Sequence, residues 1–135
     1  EGIRIRFVGQ RERFGKDLEE IMVRVEETSA KNDALTLWVC LSYGGRAEIV
    51  AAAQAAAAKG DITEAPLAAH LWTAGLPEPA IIIRSGGEHR LSNFLTWQSI
   101  YSEFFFLKEY WPDFSESILD RILNEYATRE RRSGR

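Results

Sequence analysis

One segment constrains the fold of this chain more than any other. Residues 34–41, ALTLWVCL, are apolar at nearly every position, a pattern typical of a strand that is covered on both faces in a parallel sheet. Residues 80–83 predict a second buried strand, and the alternating apolar and basic side chains of residues 3–8 predict another. A further strand is predicted at residues 103–107, which include three consecutive phenylalanines. The chain is therefore predicted to contain a parallel sheet.

Segments with helical spacing lie between these strands. Helices are predicted from Leu18 to about Asn32, over about 46–59, over 63–71, over 93–99 and after Ser115 as N-cap. In the last helix we expect five side chains to face inward: Ile118, Leu119, Ile122, Leu123 and Tyr126. The alternation of strands and helices predicts an α/β fold, a parallel sheet flanked by helices. One domain, residues 1–135, is enough for this length.

The amino-acid composition of the chain argues against some classes of function. The chain is 45% hydrophobic and 27% charged, which is ordinary for a folded globular protein. A net charge of −3 argues against a general nucleic-acid binder. The single cysteine, Cys40, cannot form an internal disulfide, fits a reducing compartment such as the cytoplasm, and is predicted to be an inert core residue. The chain opens without Met directly into a strand-like run, so we expect a fragment of a longer protein.

The loops at the carboxyl ends of two strands are candidate ligand sites, because ligands of open parallel sheets bind there. One loop is SYGGR, residues 42–46, and the other is RSGGEHRLSN, residues 84–93. The second combines two glycines, two arginines and two serines before a predicted helix, which suits a diphosphate. We predict that Arg84, Arg90 and Ser92 point into one cleft. From the residues alone, a turn with surface arginines stays an alternative.

The longer run IRSGGEHRLSNF, residues 83–94, resembles the most distinctive motif of the cis-prenyltransferases, the undecaprenyl diphosphate synthase family. Other segments match in the family's order and together cover nearly the whole chain. They are RIRFVG at 4–9, SYGGRAEI at 42–49, Trp97-Gln98, Tyr101 with Glu103, WPDF at 111–114 and RERR at 129–132. The resemblance implies that the chain is the C-terminal part of the cis-prenyltransferase fold.

The resemblance also implies an activity and roles for single residues. The family condenses isopentenyl diphosphate with an allylic diphosphate, such as farnesyl diphosphate, into long (Z)-polyprenyl diphosphates such as undecaprenyl diphosphate. It uses Mg²⁺ and works as a homodimer in the cytoplasm, with peripheral contact at the inner face of the membrane. The implied substrate-binding residues are Arg84, Arg90, Leu91 and Ser92, and Glu103 is the implied magnesium ligand. Glu88 either orients an arginine or is a solvated loop carboxylate.

The family's N-terminal motif with its catalytic aspartate has no counterpart here, since no Asp-Gly-Asn sequence occurs. We therefore expect no catalytic residue in this segment and no activity from it alone. Two alternatives stay open: a non-catalytic partner subunit of a heteromeric cis-prenyltransferase, and a plain phosphate-binding α/β module.

Two further segments, one aromatic and one basic, are candidates for contacts between subunits. The aromatic residues between positions 101 and 111 are expected to form the dimer interface. The ending Arg132-Ser133-Gly134 resembles a family motif that is linked to the partner's diphosphate site, or is a solvated helix end. His89, inside the second loop, is expected to face solvent.

Overall fold

The computed structural model describes residues 2–129, and these divide into two compact units. The first comprises residues 2–77 together with 93–95, and the second comprises residues 78–92 together with 96–129. Each unit holds a two-stranded parallel sheet with helices. The predicted α/β class with parallel strands and flanking helices is confirmed.

In the first unit, strand β1 (Ile3–Val8) pairs in parallel with β2 (Leu35–Cys40), so that Ile3 lies opposite Leu35 and Val8 opposite Cys40. Helix α1 (Lys16–Ser29) connects the two strands, preceded by a 3-10 turn at Arg11–Arg13. After β2 come helices α2 (Gly45–Ala58) and α3 (Glu64–Ala69). A helical connection of this kind is what a parallel pair requires.

Side chains of α1 close the outer edge of β1. The hydroxyl of Ser29 accepts the Ile5 N–H at 3.0 Å, and a carboxylate oxygen of Glu26 accepts the Phe7 N–H at 2.8 Å. Arg11 donates to both carboxylate oxygens of Glu26 at 2.6 and 2.7 Å. Burial opposes ionisation of Glu26, but the hydrogen bonds from Arg11 and Phe7, together with the positive charges of Arg11 and Arg6, outweigh it and lower the pKa of this carboxyl group. Two N–H groups of β1 thus have side-chain acceptors outside the sheet.

Strand β2 is more exposed than its sequence predicts. Leu35 and Leu37 are 57% and 47% exposed, so the prediction of cover on both faces is wrong for the described part of the chain. The reason is local, because in this unit α1 packs along β1 while α2 packs with α3. Cys40 is half-buried, not a full core residue. Burial, followed by the charge of Glu48, raises the pKa of its thiol and keeps it unreactive.

In the second unit, β3 (Ile81–Arg84) pairs in parallel with β4 (Glu103–Phe106), and a 3-10 turn (Trp111–Asp113) leads to helix α4 (Glu116–Thr128). The core of this unit is formed by three buried residues with four partly buried neighbours: Phe105, Leu107 and Ile122, then Ile81, Phe114, Ile118 and Tyr126.

Helix α4 buries a narrower stripe than predicted. Ile118, Ile122 and Tyr126, which follow one another at intervals of four, face the core. Leu119 and Leu123 lie beside that stripe and are 37% and 45% exposed, so their predicted inward orientation is wrong. The Ser115 side chain makes no cap hydrogen bond, and its hydroxyl pairs instead with that of Ser117 at 2.9 Å.

The helix predicted over residues 93–99 does not form, and turns take its place. Ser92, Asn93 and Leu95 have φ angles of 48°, 67° and 44°, whereas a right-handed helix needs negative φ. No helix dipole therefore points at the preceding loop. Among residues 2–129, no helix combines the length and apolar character that crossing a bilayer requires.

Candidate functional site

The predicted anion loop begins where β3 ends. One guanidinium nitrogen of Arg84 (Nη1) donates to the backbone oxygen of Arg90 at 2.5 Å and to the hydroxyl of Ser92 at 3.1 Å. The structure thus brings the side chains of Arg84 and Ser92 together. The guanidinium of Arg90 points to Glu88 instead and forms an ion pair with its carboxylate. Leu91, between these residues, is partly buried.

The two glycines of this loop shape its backbone. Gly86 and Gly87 have φ angles of 90° and 77°, a conformation that side chains with a Cβ rarely adopt. Their N–H groups donate to the carbonyl oxygens of Glu109 and Leu107 at 2.8 and 2.7 Å. Both N–H groups therefore already have backbone acceptors in this structure. The attraction for an anion comes from the arginines.

The charges of the loop suit a diphosphate. Two guanidinium groups and two serine hydroxyls lie within nine residues, and guanidinium groups bind phosphate oxygens through pairs of parallel hydrogen bonds. Glu88 offsets part of this charge through its exposed ion pair with Arg90. His89 is exposed, as predicted, and its ring stacks on Phe106 with centroids 4.9 Å apart. The arginine and serine side chains are the groups of this loop that could donate hydrogen bonds to an anion.

Glu103 lies away from this loop. It pairs with Ile81 at the start of the two parallel strands, while Arg84 pairs with Phe106 at their end. Three residues of strand separate the two ends, which is about 10 Å. Within one chain, the structure therefore groups Arg84 and Ser92 but leaves Glu103 apart.

The carboxylate of Glu103 already has a cationic partner. It accepts a hydrogen bond from Arg129 at 2.6 Å, and Arg129 also donates to Glu125 at 2.5 Å and lies 4.3 Å from the centroid of the Phe105 ring. Glu125, and then Glu103, raise the pKa of Arg129. Residues 2–129 contain no group of three or more His, Cys, Asp or Glu side chains that could hold a metal ion.

Sequence reasoning missed a buried carboxylate beside the first loop. Glu48 of α2 is fully buried. It accepts hydrogen bonds from the Tyr43 hydroxyl at 2.5 Å and from the N–H and hydroxyl of Thr73 at 2.8 and 2.7 Å. The available signal was that Glu48 is the one acidic residue in the alanine-rich sequence of α2. Tyr43 also packs edge-to-face against Trp72 and Phe94.

The predicted aromatic interface separates into exposed and buried residues. Tyr101, Tyr110 and Trp111 are 79%, 68% and 73% exposed. Phe105 is 6% exposed and belongs to the core, so its predicted place in an interface is wrong. Of the basic C-terminal residues, Arg129 is described, and the others lie outside the described residues: Arg131, Arg132 and Arg135, with the ending Arg132-Ser133-Gly134.

Comparison with known proteins identifies the family. Residues 1–134 match the protein family described as "Putative undecaprenyl diphosphate synthase". An isoprenyl transferase of Neisseria gonorrhoeae is 44% identical over 98% of this chain and 54% of its own length. A ditrans,polycis-undecaprenyl-diphosphate synthase of Xanthomonas axonopodis, described as (2E,6E)-farnesyl-diphosphate specific, is 43% identical over 98% of this chain and 55% of its own length.

Solved structures agree with these relatives. A probable undecaprenyl diphosphate synthase from Campylobacter jejuni superposes with a TM-score of 0.92 at 32% identity, over 99% of this chain and 64% of that one. Lavandulyl diphosphate synthase from Lavandula x intermedia, solved with dimethylallyl diphosphate, gives 0.91 at 35% identity, over 98% and 61%. The chain therefore belongs to the undecaprenyl diphosphate synthase family of cis-prenyltransferases, as its motifs predict. It spans about half the length of the curated relatives it matches.

Proposed function

We propose that this chain supplies the binding site for isopentenyl diphosphate in a cis-prenyltransferase. The contact between Arg84 and Ser92, in the loop that follows β3, is the observation that carries the proposal. The complete enzyme would condense isopentenyl diphosphate with an allylic diphosphate such as farnesyl diphosphate and form a long (Z)-polyprenyl diphosphate. The names of the relatives and the allylic diphosphate bound to the lavandulyl enzyme support this substrate class.

In this proposal the loop binds and orients the diphosphate. A guanidinium group has five N–H donors, so Arg84 retains donors for phosphate oxygens beyond the Nη1 contacts to Arg90 and Ser92. The exposed guanidinium of Arg90 adds a second charge, and the Ser92 hydroxyl adds a hydrogen bond. Leu91 contacts the isoprenyl carbons. Fixing the diphosphate in this way places C4 of isopentenyl diphosphate for attack on the allylic carbon. The new C–C bond replaces the C–O bond of the allylic diphosphate, which leaves as diphosphate, and a proton is then lost to form the new double bond.

Magnesium is the cofactor that the family implies, and Glu103 is its proposed ligand. One carboxylate and the oxygens of a diphosphate suit this ion. Glu103, however, lies about 10 Å along the strands from the end that carries Arg84. The residues of one chain therefore do not fit a single ion that touches both Glu103 and a diphosphate held by Arg84 and Ser92.

Binding measurements test the proposal directly. Isothermal titration calorimetry of the 135-residue chain with isopentenyl diphosphate is expected to show binding, and Arg84→Gln is expected to weaken it. The loss of a charge-assisted hydrogen bond, about 1.5–3 kcal/mol, corresponds to roughly tenfold to a hundredfold in affinity. Arg121→Gln is the matched control, because Arg121 lies on α4 with a long 3.9 Å pair to Glu109.

Three results would contradict the proposal or favour its alternatives. Equal affinity of the Arg84 and Arg121 variants for isopentenyl diphosphate would show that Arg84 does not belong to the binding site. Tight binding of inorganic phosphate with no preference for isopentenyl diphosphate would favour a plain phosphate-binding module. No binding of either ligand would favour a non-catalytic subunit.

The proposal includes assembly and location. We place the complete protein as a homodimer in the cytoplasm, against the membrane that receives its lipid product. The exposed side chains of Tyr101, Tyr110 and Trp111 support a protein interface in this region, since exposed apolar patches mark such surfaces. Sedimentation of the chain as a monomer at high concentration would contradict the dimer.

A further inference from the structure

Helix α2 begins without a cap of its own. Its N-cap residue is Gly44, which has no side chain to accept the first N–H groups of the helix. Asn93 takes over this task from a distance of 47 residues in sequence. The Gly45 N–H donates to the backbone oxygen of Asn93 at 2.8 Å, and the Arg46 N–H donates to its side-chain oxygen at 2.9 Å. One residue thus satisfies two of the free donors at this helix end.

Gly44 makes room for Asn93. A Cβ atom at position 44 would lie 2.6 Å from the amide nitrogen of Asn93, closer than such atoms approach one another. The φ angle of Gly44 is −154°, an extended conformation that any residue adopts, so glycine is needed here for space. By contrast, a Cβ at Gly15, the N-cap of α1, would meet nothing within 4 Å.

The residue before Asn93 is Ser92, whose hydroxyl meets Arg84. Both residues have left-handed backbones, with φ angles of 48° for Ser92 and 67° for Asn93. Asparagine tolerates this conformation better than most residues, and its contacts at α2 hold it there. A substitution at Asn93 is therefore expected to alter the backbone conformation of the neighbouring Ser92, whose side chain carries the hydroxyl.

We propose that Asn93 is a positioning residue for diphosphate binding: its two hydrogen bonds to the start of α2 hold the left-handed backbone of residues 92–93, the conformation in which the Ser92 hydroxyl meets Arg84. Asn93 need not touch the substrate in this role. The inference deepens the proposed function of the loop and rests on it.

The first test compares two asparagines in the 135-residue chain by calorimetry with isopentenyl diphosphate. Asn93→Ala is expected to weaken binding about tenfold, the size of one lost hydrogen bond at a charged group. Asn32→Ala is the matched control, because Asn32 also donates from its amide to a distant backbone oxygen, that of Ile3 at 2.7 Å. Both changes lower the melting temperature, but only the first weakens binding. Asn93→Asp keeps the acceptor for the Arg46 N–H and is expected to restore affinity to within about threefold.

The second test displaces Asn93 without changing it. Gly44→Ala is expected to weaken binding as Asn93→Ala does, whereas Gly15→Ala leaves affinity unchanged. If both act through the same contact, the double variant Gly44→Ala/Asn93→Ala binds no more weakly than Asn93→Ala alone. Should Asn93→Ala fail to fold, the positioning role is still tested by two other variants: Gly44→Ala is expected to weaken binding and Asn93→Asp to retain it.

The outcomes separate this inference from the proposed function. If the unmodified chain binds isopentenyl diphosphate and the Asn93 and Asn32 variants bind equally well, the positioning role is overturned and the loop's function stands. Fully additive losses in the double variant would also overturn it. If the unmodified chain binds no isopentenyl diphosphate, the proposed function fails, and the positioning role with it.

Discussion

The loops after β2 and after β3 both contain a Gly-Gly pair, and the two pairs are needed for different reasons. Gly44 has an extended backbone, and its lack of a Cβ lets Asn93 approach α2. Gly86 and Gly87 have positive φ angles, and the nearest side-chain atom that a Cβ would meet, on Tyr110, is 3.8 Å away. In the first pair Gly44 provides space, whereas both glycines of the second pair provide backbone conformation. The same dipeptide therefore does not indicate the same structure.

The two loops also differ in how their polar groups are satisfied. The first is supported from inside by Glu48, a buried carboxylate with three hydrogen bonds. The second is supported at the surface by Arg84 and by the ion pair between Glu88 and Arg90, whose side chains are 46% and 62% exposed. Buried polar groups are costly to leave unpaired, whereas exposed ion pairs contribute little. The difference suits a structural first loop and a second loop that is open to ligands.

The largest effect on stability is expected from Glu48→Ala. The change leaves the buried N–H and hydroxyl of Thr73 without this acceptor and opens a cavity, which together cost about 3 kcal/mol. Urea unfolding measures the difference in the free energy of unfolding. Glu27→Ala, on the exposed side of α1, is the control and should change it by less than about 0.5 kcal/mol. Equal effects of the two changes would contradict the buried role of Glu48.

A smaller effect is expected from Gly87→Ala. A Cβ at Gly87 meets nothing within 4 Å, so the cost comes from a φ of 77° alone, about 1–2 kcal/mol. Gly15→Ala, with a φ of −67°, should be nearly neutral in the same unfolding measurement. If Gly87→Ala were neutral as well, the distinction between the two Gly-Gly pairs would not hold for the second loop.

The smallest effect on stability is expected from Glu88→Gln. The ion pair with Arg90 is exposed, so its loss should change the free energy of unfolding by less than about 1 kcal/mol. Removing the negative charge also frees Arg90 for phosphate, and the affinity for isopentenyl diphosphate should rise about twofold at low salt and converge with the unmodified chain at high salt. A marked loss of affinity would show instead that Glu88 must orient Arg90.

Local sequence patterns predicted most of the elements. The parallel strands, the helices flanking them and the loop that joins Arg84 to Ser92 follow from hydrophobic spacing, glycines and arginines. The same reasoning was wrong for residues 93–99, because nothing in their spacing reveals the left-handed backbones at Asn93 and Leu95. It was also wrong for Leu119 and Leu123, since the width of a buried stripe depends on what packs against the helix.

The fold class, the family and the positions of the two loops were predictable from the sequence alone, because they depend on residue type and spacing along the chain. Tertiary structure decided which residues are partners. Glu48 accepts a hydrogen bond from Thr73, which is 25 residues away in sequence, and Asn93 accepts one from Arg46, which is 47 residues away. It also set Glu103 at the opposite end of the strands from Arg84. Hydrogen bonds between distant residues need both groups at about 3 Å in a suitable orientation, and only the packed chain fixes such distances.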